Sequence, residues 1–120
     1  MKKIINWGFI GLGNASYNLA KEFENIDNSN LKAVASLQEK KRTLFKDQFK
    51  LEEKNIFSNY EEIINHQDID IVYIGLPNSM HETYCFKALN LNKNVLVEKP
   101  ITKNIKTFKE LKKLSLKKKL

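Results

Sequence analysis

The chain has 120 residues, 42% apolar and 29% charged, with a formal net charge of +7; this suits one ordinary globular domain with a real core and excludes a disordered or fibrous chain. No apolar run approaches the ~20 residues of a membrane span, and Met1-Lys2-Lys3-Ile4 leads into a strand-like run, not a signal peptide. The lone cysteine, Cys85, excludes an intrachain disulfide and fits a reducing compartment, so the expected setting is cytoplasmic.

Strand and helix patterns alternate along the chain. Ile4 to Ile10 is apolar and β-branched, a predicted strand. Asn14 to about Glu24 places Ala15, Leu19 and Phe23 at helical spacing. Asp27 to Asn30 reads as a polar turn, and Leu31 to Ala35 as the second strand. Glu39 to about Lys50 is helical, with Leu44, Phe45 and Phe49 on one side, and Ile56-Phe57 is a very short third strand. Tyr60 to Asn65 is a short helix, Asn65 to Asp68 a loop, and Ile69 to Gly75 the central strand. Ser79-Met80-His81-Glu82 has capping-box form, with Ser79 as the cap of a helix running to about Leu91. Lys93-Asn94 turns into the strand Val95 to Val97, and Asn104 caps the last helix.

That last helix holds the basicity. Residues 102–120 contain eight lysines and one acid, Glu110, whereas the rest of the chain is balanced. The lysines alternate with Ile105, Phe108, Leu111, Leu114 and Leu116, the pattern of an amphipathic helix with a solvated face. There is no arginine cluster or aromatic interleaving, so neither nucleic acid nor a membrane surface is expected as a partner. The whole order argues for an α/β fold, a doubly wound parallel sheet with helices on both faces and right-handed crossovers. Residues 1–120 read as one unit.

The first strand runs into Gly11-Leu12-Gly13-Asn14-Ala15-Ser16, followed by a helix. This is the G-x-G-x-x-G/A form with serine in the last place. Gly11 permits the tight turn, Gly13 lets a pyrophosphate approach the backbone, and Ser16 is small enough for helix–strand packing. Amides of the first helical turn, at Asn14 and Ala15, would face the phosphates. The alternative is a plain tight turn between strand and helix. At the end of the second strand stand Ser36 and Leu37, where an NAD-specific site usually has Asp or Glu. With Lys40-Lys41-Arg42 in the next turn, the neutral Ser36 favours NADP over NAD; a solvated helix start is the rival reading of the three cations.

Leu76, Pro77 and Asn78 follow the central strand, and in a parallel sheet their loop shares the carboxyl edge with the glycine loop. Pro77 stiffens it and Asn78 offers a donor and an acceptor. His81, one turn into the helix, is either a structural hydrogen-bonder or a cofactor or catalytic group. Glu98-Lys99-Pro100 ends the Val95-Leu96-Val97 run at the rim where open α/β sheets bind ligands; taken alone, it is equally a polar strand end stopped by proline.

The run Asp68-Ile69-Asp70-Ile71-Val72-Tyr73-Ile74-Gly75-Leu76-Pro77-Asn78-Ser79-Met80-His81, followed by Val95-Leu96-Val97-Glu98-Lys99-Pro100, resembles the glucose-fructose oxidoreductase / inositol dehydrogenase / MocA family. The resemblance runs from Ile4 to about Leu114. It implies a Rossmann domain that binds NAD(P), in enzymes that move hydride between nicotinamide and sugars, cyclitols or related carbonyls. It gives Lys99 a catalytic place near the nicotinamide, where an ammonium polarises a carbonyl or stabilises an alkoxide. It assigns Glu98 to the cofactor-binding wall, and Pro77 and Asn78 to the loop beneath the cofactor.

Two departures stand out. Leu37 replaces an arginine common in the family, which weakens the case for NADP. The C-terminal α/β substrate domain of the family is absent, so the chain is expected to be a truncated piece: cofactor as partner, small-molecule substrate only with the missing domain, self-association into a homo-oligomer left open. The rival reading is a non-catalytic dinucleotide-binding or regulatory module acting with a partner protein.

Overall fold

Residues 3–98, 102 and 104–120 are described by the computed structural model. Lys99 and Pro100, which carry the sequence-based catalytic assignment, lie outside the described residues. Strand and helix alternate: β1 (Ile5–Ile10), α1 (Asn14–Glu22), β2 (Ser29–Ala35), α2 (Glu39–Phe49), β3 (Ile56–Phe57), α3 (Glu61–Ile64), β4 (Ile71–Ile74), α4 (Asn78–Asn90), β5 (Asn94–Val97) and α5 (Ile105–Lys118). The strands form one parallel sheet in the order β3-β2-β1-β4-β5. After β3 the chain returns to the far side of β1, so the winding reverses between β1 and β4.

Alternate residues of the central strands enter two different cores. Phe9, Val34 and Tyr73 join Ala20, Phe23 and Phe45 beneath α1 and α2. Ile10, Ala33, Ala35, Val72 and Ile74 join Ile63, Cys85, Ala88 and Leu111 on the other face. Burial on both faces explains why these strands are almost wholly apolar. Among the described residues, no buried side-chain nitrogen or oxygen lacks a hydrogen-bond partner.

The structure corrects three sequence-based boundaries. β2 begins at Ser29, inside the predicted turn, because its polar residues pair with β1: Ile5 lies opposite Ser29 and Asn6 opposite Asn30. Their side chains join in, with Asn30 Nδ2 donating to Asn6 Oδ1 at 3.1 Å and Trp7 Nε1 to Ser29 Oγ at 3.2 Å. β4 starts two residues later than expected. Ile69 is buried, but its carbonyl accepts from Lys93 Nζ at 2.7 Å and its amide donates to His66 O at 3.3 Å. Finally, Ser79 is not the cap of α4. The helix starts at Asn78 with Pro77 in the flanking position (φ −56°, ψ 150°), and Met80 N donates to Pro77 O at 2.9 Å. Proline suits a helix start, where its missing donor costs nothing. At α5 the expected cap is present: Asn104 Oδ1 accepts from Thr107 N at 2.8 Å.

Candidate functional site

The winding reverses between β1 and β4, and the carboxyl edge of the sheet at such a reversal is the place where open α/β sheets bind ligands. Two glycine-bearing loops meet there. Gly11 adopts φ 85°, and a Cβ on it would stand 2.5 Å from Gly75 O, a backbone atom that cannot step aside. A Cβ on Gly75 would in turn collide with Ser16 Oγ. Gly11 N donates to Ala35 O at 3.0 Å and Gly75 N to Ile10 O at 2.8 Å, which ties both loops to the sheet. Ser16 is buried and donates to Gly11 O at 2.7 Å. It thus locks the turn by a hydrogen bond as well as being small.

Leu12 points into the core and anchors the loop from below. Gly13 differs: a Cβ there would meet nothing within 4 Å. Space above Gly13 is therefore open, and α1 begins directly after it with Asn14 and Ala15 exposed. The first turn of α1 carries no acidic residue, and no side chain caps it among the described residues. Its unpaired amides and the positive end of the helix dipole suit an anion such as a pyrophosphate.

At the end of β2, Ser36 is buried and its hydroxyl accepts from Gln38 N at 3.1 Å. Its carbonyl accepts from Arg42 Nη1 at 2.7 Å, so a guanidinium is pinned at the strand end although it stands on α2. Leu37 is 68% exposed. On the β4–α4 loop, Leu76 is buried while Pro77 and Asn78 are exposed at the edge. His81 is buried with Nε2 2.8 Å from Leu76 O, where it supports this loop from the helix side. Glu98, exposed at the end of β5, accepts from the Tyr73 hydroxyl at 3.5 Å.

Glycine loop, Ser36 with Arg42, the Leu76–Asn78 loop and Glu98 all sit at one sheet edge. Sequence reasoning missed Tyr73, because a tyrosine in an apolar strand looks like core until its hydroxyl is traced. It also missed how Arg42 is held, because that contact runs from α2 back to the end of β2. Among the described residues, no group of His, Cys, Asp and Glu is placed to hold a metal ion.

Comparison with known proteins gives a consistent result. The profile of the oxidoreductase family with an NAD-binding Rossmann fold, the glucose-fructose oxidoreductase / inositol dehydrogenase / MocA group, matches residues 5–120. An oxidoreductase of Formosa agariphila is 38% identical over 105 residues, covering 87% of this chain and 32% of its own length. A dTDP-3,4-didehydro-2,6-dideoxy-alpha-D-glucose 3-reductase of Saccharopolyspora spinosa is 31% identical over 103 residues, or 85% of this chain and 30% of its own. In three dimensions, scyllo-inositol dehydrogenase of Lactobacillus casei with bound NAD(H) and scyllo-inositol superposes with a TM-score of 0.86 at 28% identity, over 98% of this chain and 34% of that one. A 3-ketoreductase of Actinomadura kijaniata in complex with NADP and TDP-benzene reaches 0.89 at 25% identity, over 98% and 36%. The chain thus spans about a third of the length of the relatives it matches.

Proposed function

The chain belongs to the oxidoreductase family with an NAD-binding Rossmann fold, and from that membership we propose that it is the dinucleotide-binding part of an NAD(P)-dependent oxidoreductase acting on a sugar- or cyclitol-like hydroxyl or carbonyl. The observation that carries the reading is the cradle at the β1/β4 reversal: Gly11 forced against Gly75, open space above Gly13, and an uncapped helix start beyond. In it, Gly11, Leu12, Gly13, Asn14 and Ala15 hold the pyrophosphate. Ser36 and Leu37 border the adenosine ribose. Leu76, Pro77 and Asn78 form the floor, with His81 bracing Leu76 from within. Glu98 belongs to the wall at the nicotinamide end, and Lys99 is the group that polarises the substrate oxygen. The dinucleotide, when bound, supplies or accepts the hydride. A sugar-like substrate class is supported by relatives that include a deoxysugar 3-reductase and a scyllo-inositol dehydrogenase. One unpaired cysteine keeps the cytoplasm as the proposed setting.

NADP is favoured over NAD because Arg42 is held at the end of β2 by Ser36 O, with no carboxylate at Ser36 or Leu37 to repel a 2′-phosphate. Calorimetric titration of the chain with NADPH and NADH tests both levels. Binding of at least one dinucleotide is expected; no heat from either at millimolar concentration would falsify the reading. Arg42→Ala is expected to weaken NADPH about tenfold, the worth of one charge-assisted hydrogen bond, and to leave NADH nearly unchanged. Equal effects on the two would remove the preference for NADP.

A further inference from the structure

Tyr73 lies in the middle of the sheet and is 1% exposed. Its ring packs on Phe9 with centroids 5.0 Å apart. It also runs close beneath the β4–α4 loop, since a Cβ on Gly75 would stand 3.1 Å from Tyr73 Cε2. The hydroxyl therefore emerges at the carboxyl edge, where it donates to Glu98 Oε1 at 3.5 Å. Ser16 Oγ of the glycine loop would collide with that same Cβ, so the glycine loop lies beside the Tyr73 ring at Gly75.

A buried phenol must find an acceptor, and a carboxylate is a stronger one than a hydroxyl. Packing explains the ring: Phe9 and Phe23 fill the same core with hydrocarbon alone. It does not explain the hydroxyl, which reaches from β4 to the end of β5. Glu98 is exposed, so burial does not orient its side chain; the phenol does.

We propose that Tyr73 is a positioning residue of the dinucleotide site, whose hydroxyl holds the Glu98 carboxylate in register with the glycine loop. The inference rests on the dinucleotide-binding reading above and adds to it a residue that touches no ligand. The contact sits at the last described residue of this segment, directly after β5.

The test is a double-substitution cycle on the 120-residue chain with NADPH and NADH as probes. Tyr73→Phe and Glu98→Ala are each expected to raise the dissociation constant about fivefold, and the double variant also about fivefold, because the second change removes a partner already lost. A Tyr73→Phe chain that binds as the unaltered chain does, or a double variant about 25-fold weaker, overturns the proposal. A second readout, which a packing role would not move, is the Tyr73 phenol titration followed by NMR of ring-labelled tyrosine. Burial, then the neighbouring Glu98, hold this phenol above its ordinary value of 10.0. Glu98→Ala, at an exposed position, should lower it; an unmoved titration overturns the contact. That titration needs no cofactor. An unaltered chain that binds neither dinucleotide defeats the underlying reading, whereas normal binding with an unmoved titration defeats this inference alone.

Discussion

Gly11 and Gly13 look alike in sequence and differ in what surrounds them. At Gly11 a side chain meets positive φ and a fixed carbonyl; at Gly13 it meets open space. Gly11→Ala should therefore lower the unfolding free energy by about 2–4 kcal/mol in urea denaturation. Gly13→Ala should change it by less than about 1 kcal/mol yet weaken dinucleotide binding about tenfold or more, since the new methyl occupies the approach to the phosphates. Similar stability losses at both positions would contradict the assignment of roles. Cys85 offers a pH test of the core. Burial pushes its thiol up from 9.0 to about 11. A pKa raised on folding contributes stability that is fully present below the unfolded value and is lost as pH climbs to the folded one. The stability of the unaltered chain relative to Cys85→Ala should thus be flat up to pH 9 and fall by on the order of 2 kcal/mol by pH 11. A thiol reagent at pH 8 should label the folded chain far more slowly than the unfolded one. The glycine spacing was readable in the sequence because a tight turn is local; the collision of Gly11 with Gly75 was not, because the two are brought together only by the β1–β4 pairing.

Helix starts show where local rules held and where they lost. Asn104 caps α5 as its position predicts. Asn104→Ala is expected to cost about 1 kcal/mol, seen as a lower midpoint in urea and more rapid amide exchange in the first turn of α5. An unchanged midpoint would mean the first turn draws its stability from elsewhere. Ser79 had the same credentials but lies one residue inside α4, since Pro77 already sets the turn and its carbonyl takes the Met80 amide. Strand ends failed for a related reason. Ser29 and Asn30 are polar enough to read as a turn, yet β1 supplies their backbone with partners. Ile69 is apolar enough to read as strand, yet Lys93 claims its carbonyl. Polarity tells which side chains meet water; it does not tell which backbone groups meet each other.

For the molecule as a whole, β5 stands last in the strand order and carries an exposed apolar margin. Phe108, 42% exposed, lines a groove of about 310 Å³ with Leu89, Val95, Val97 and Leu111, and Leu96, 43% exposed, lies on the other face of β5. Apolar surface of this kind favours association. Sedimentation velocity should show a weight-average mass that rises with concentration and falls after Leu96→Lys; a monomer at every concentration would refute it. Strand–helix alternation, two-sided burial of the central strands and the glycine loop were all legible in the sequence. Each is a pattern among near neighbours, written in periods of two or of 3.6 residues. The order β3-β2-β1-β4-β5, the reversal of winding within it, the hold of Ser36 on Arg42 and the reach of Tyr73 to Glu98 came only from the tertiary structure. A continuous apolar run states that a strand is covered on both faces. It carries no term for which strand lies beside it, because that choice is made by packing and hydrogen bonding between segments far apart in the chain.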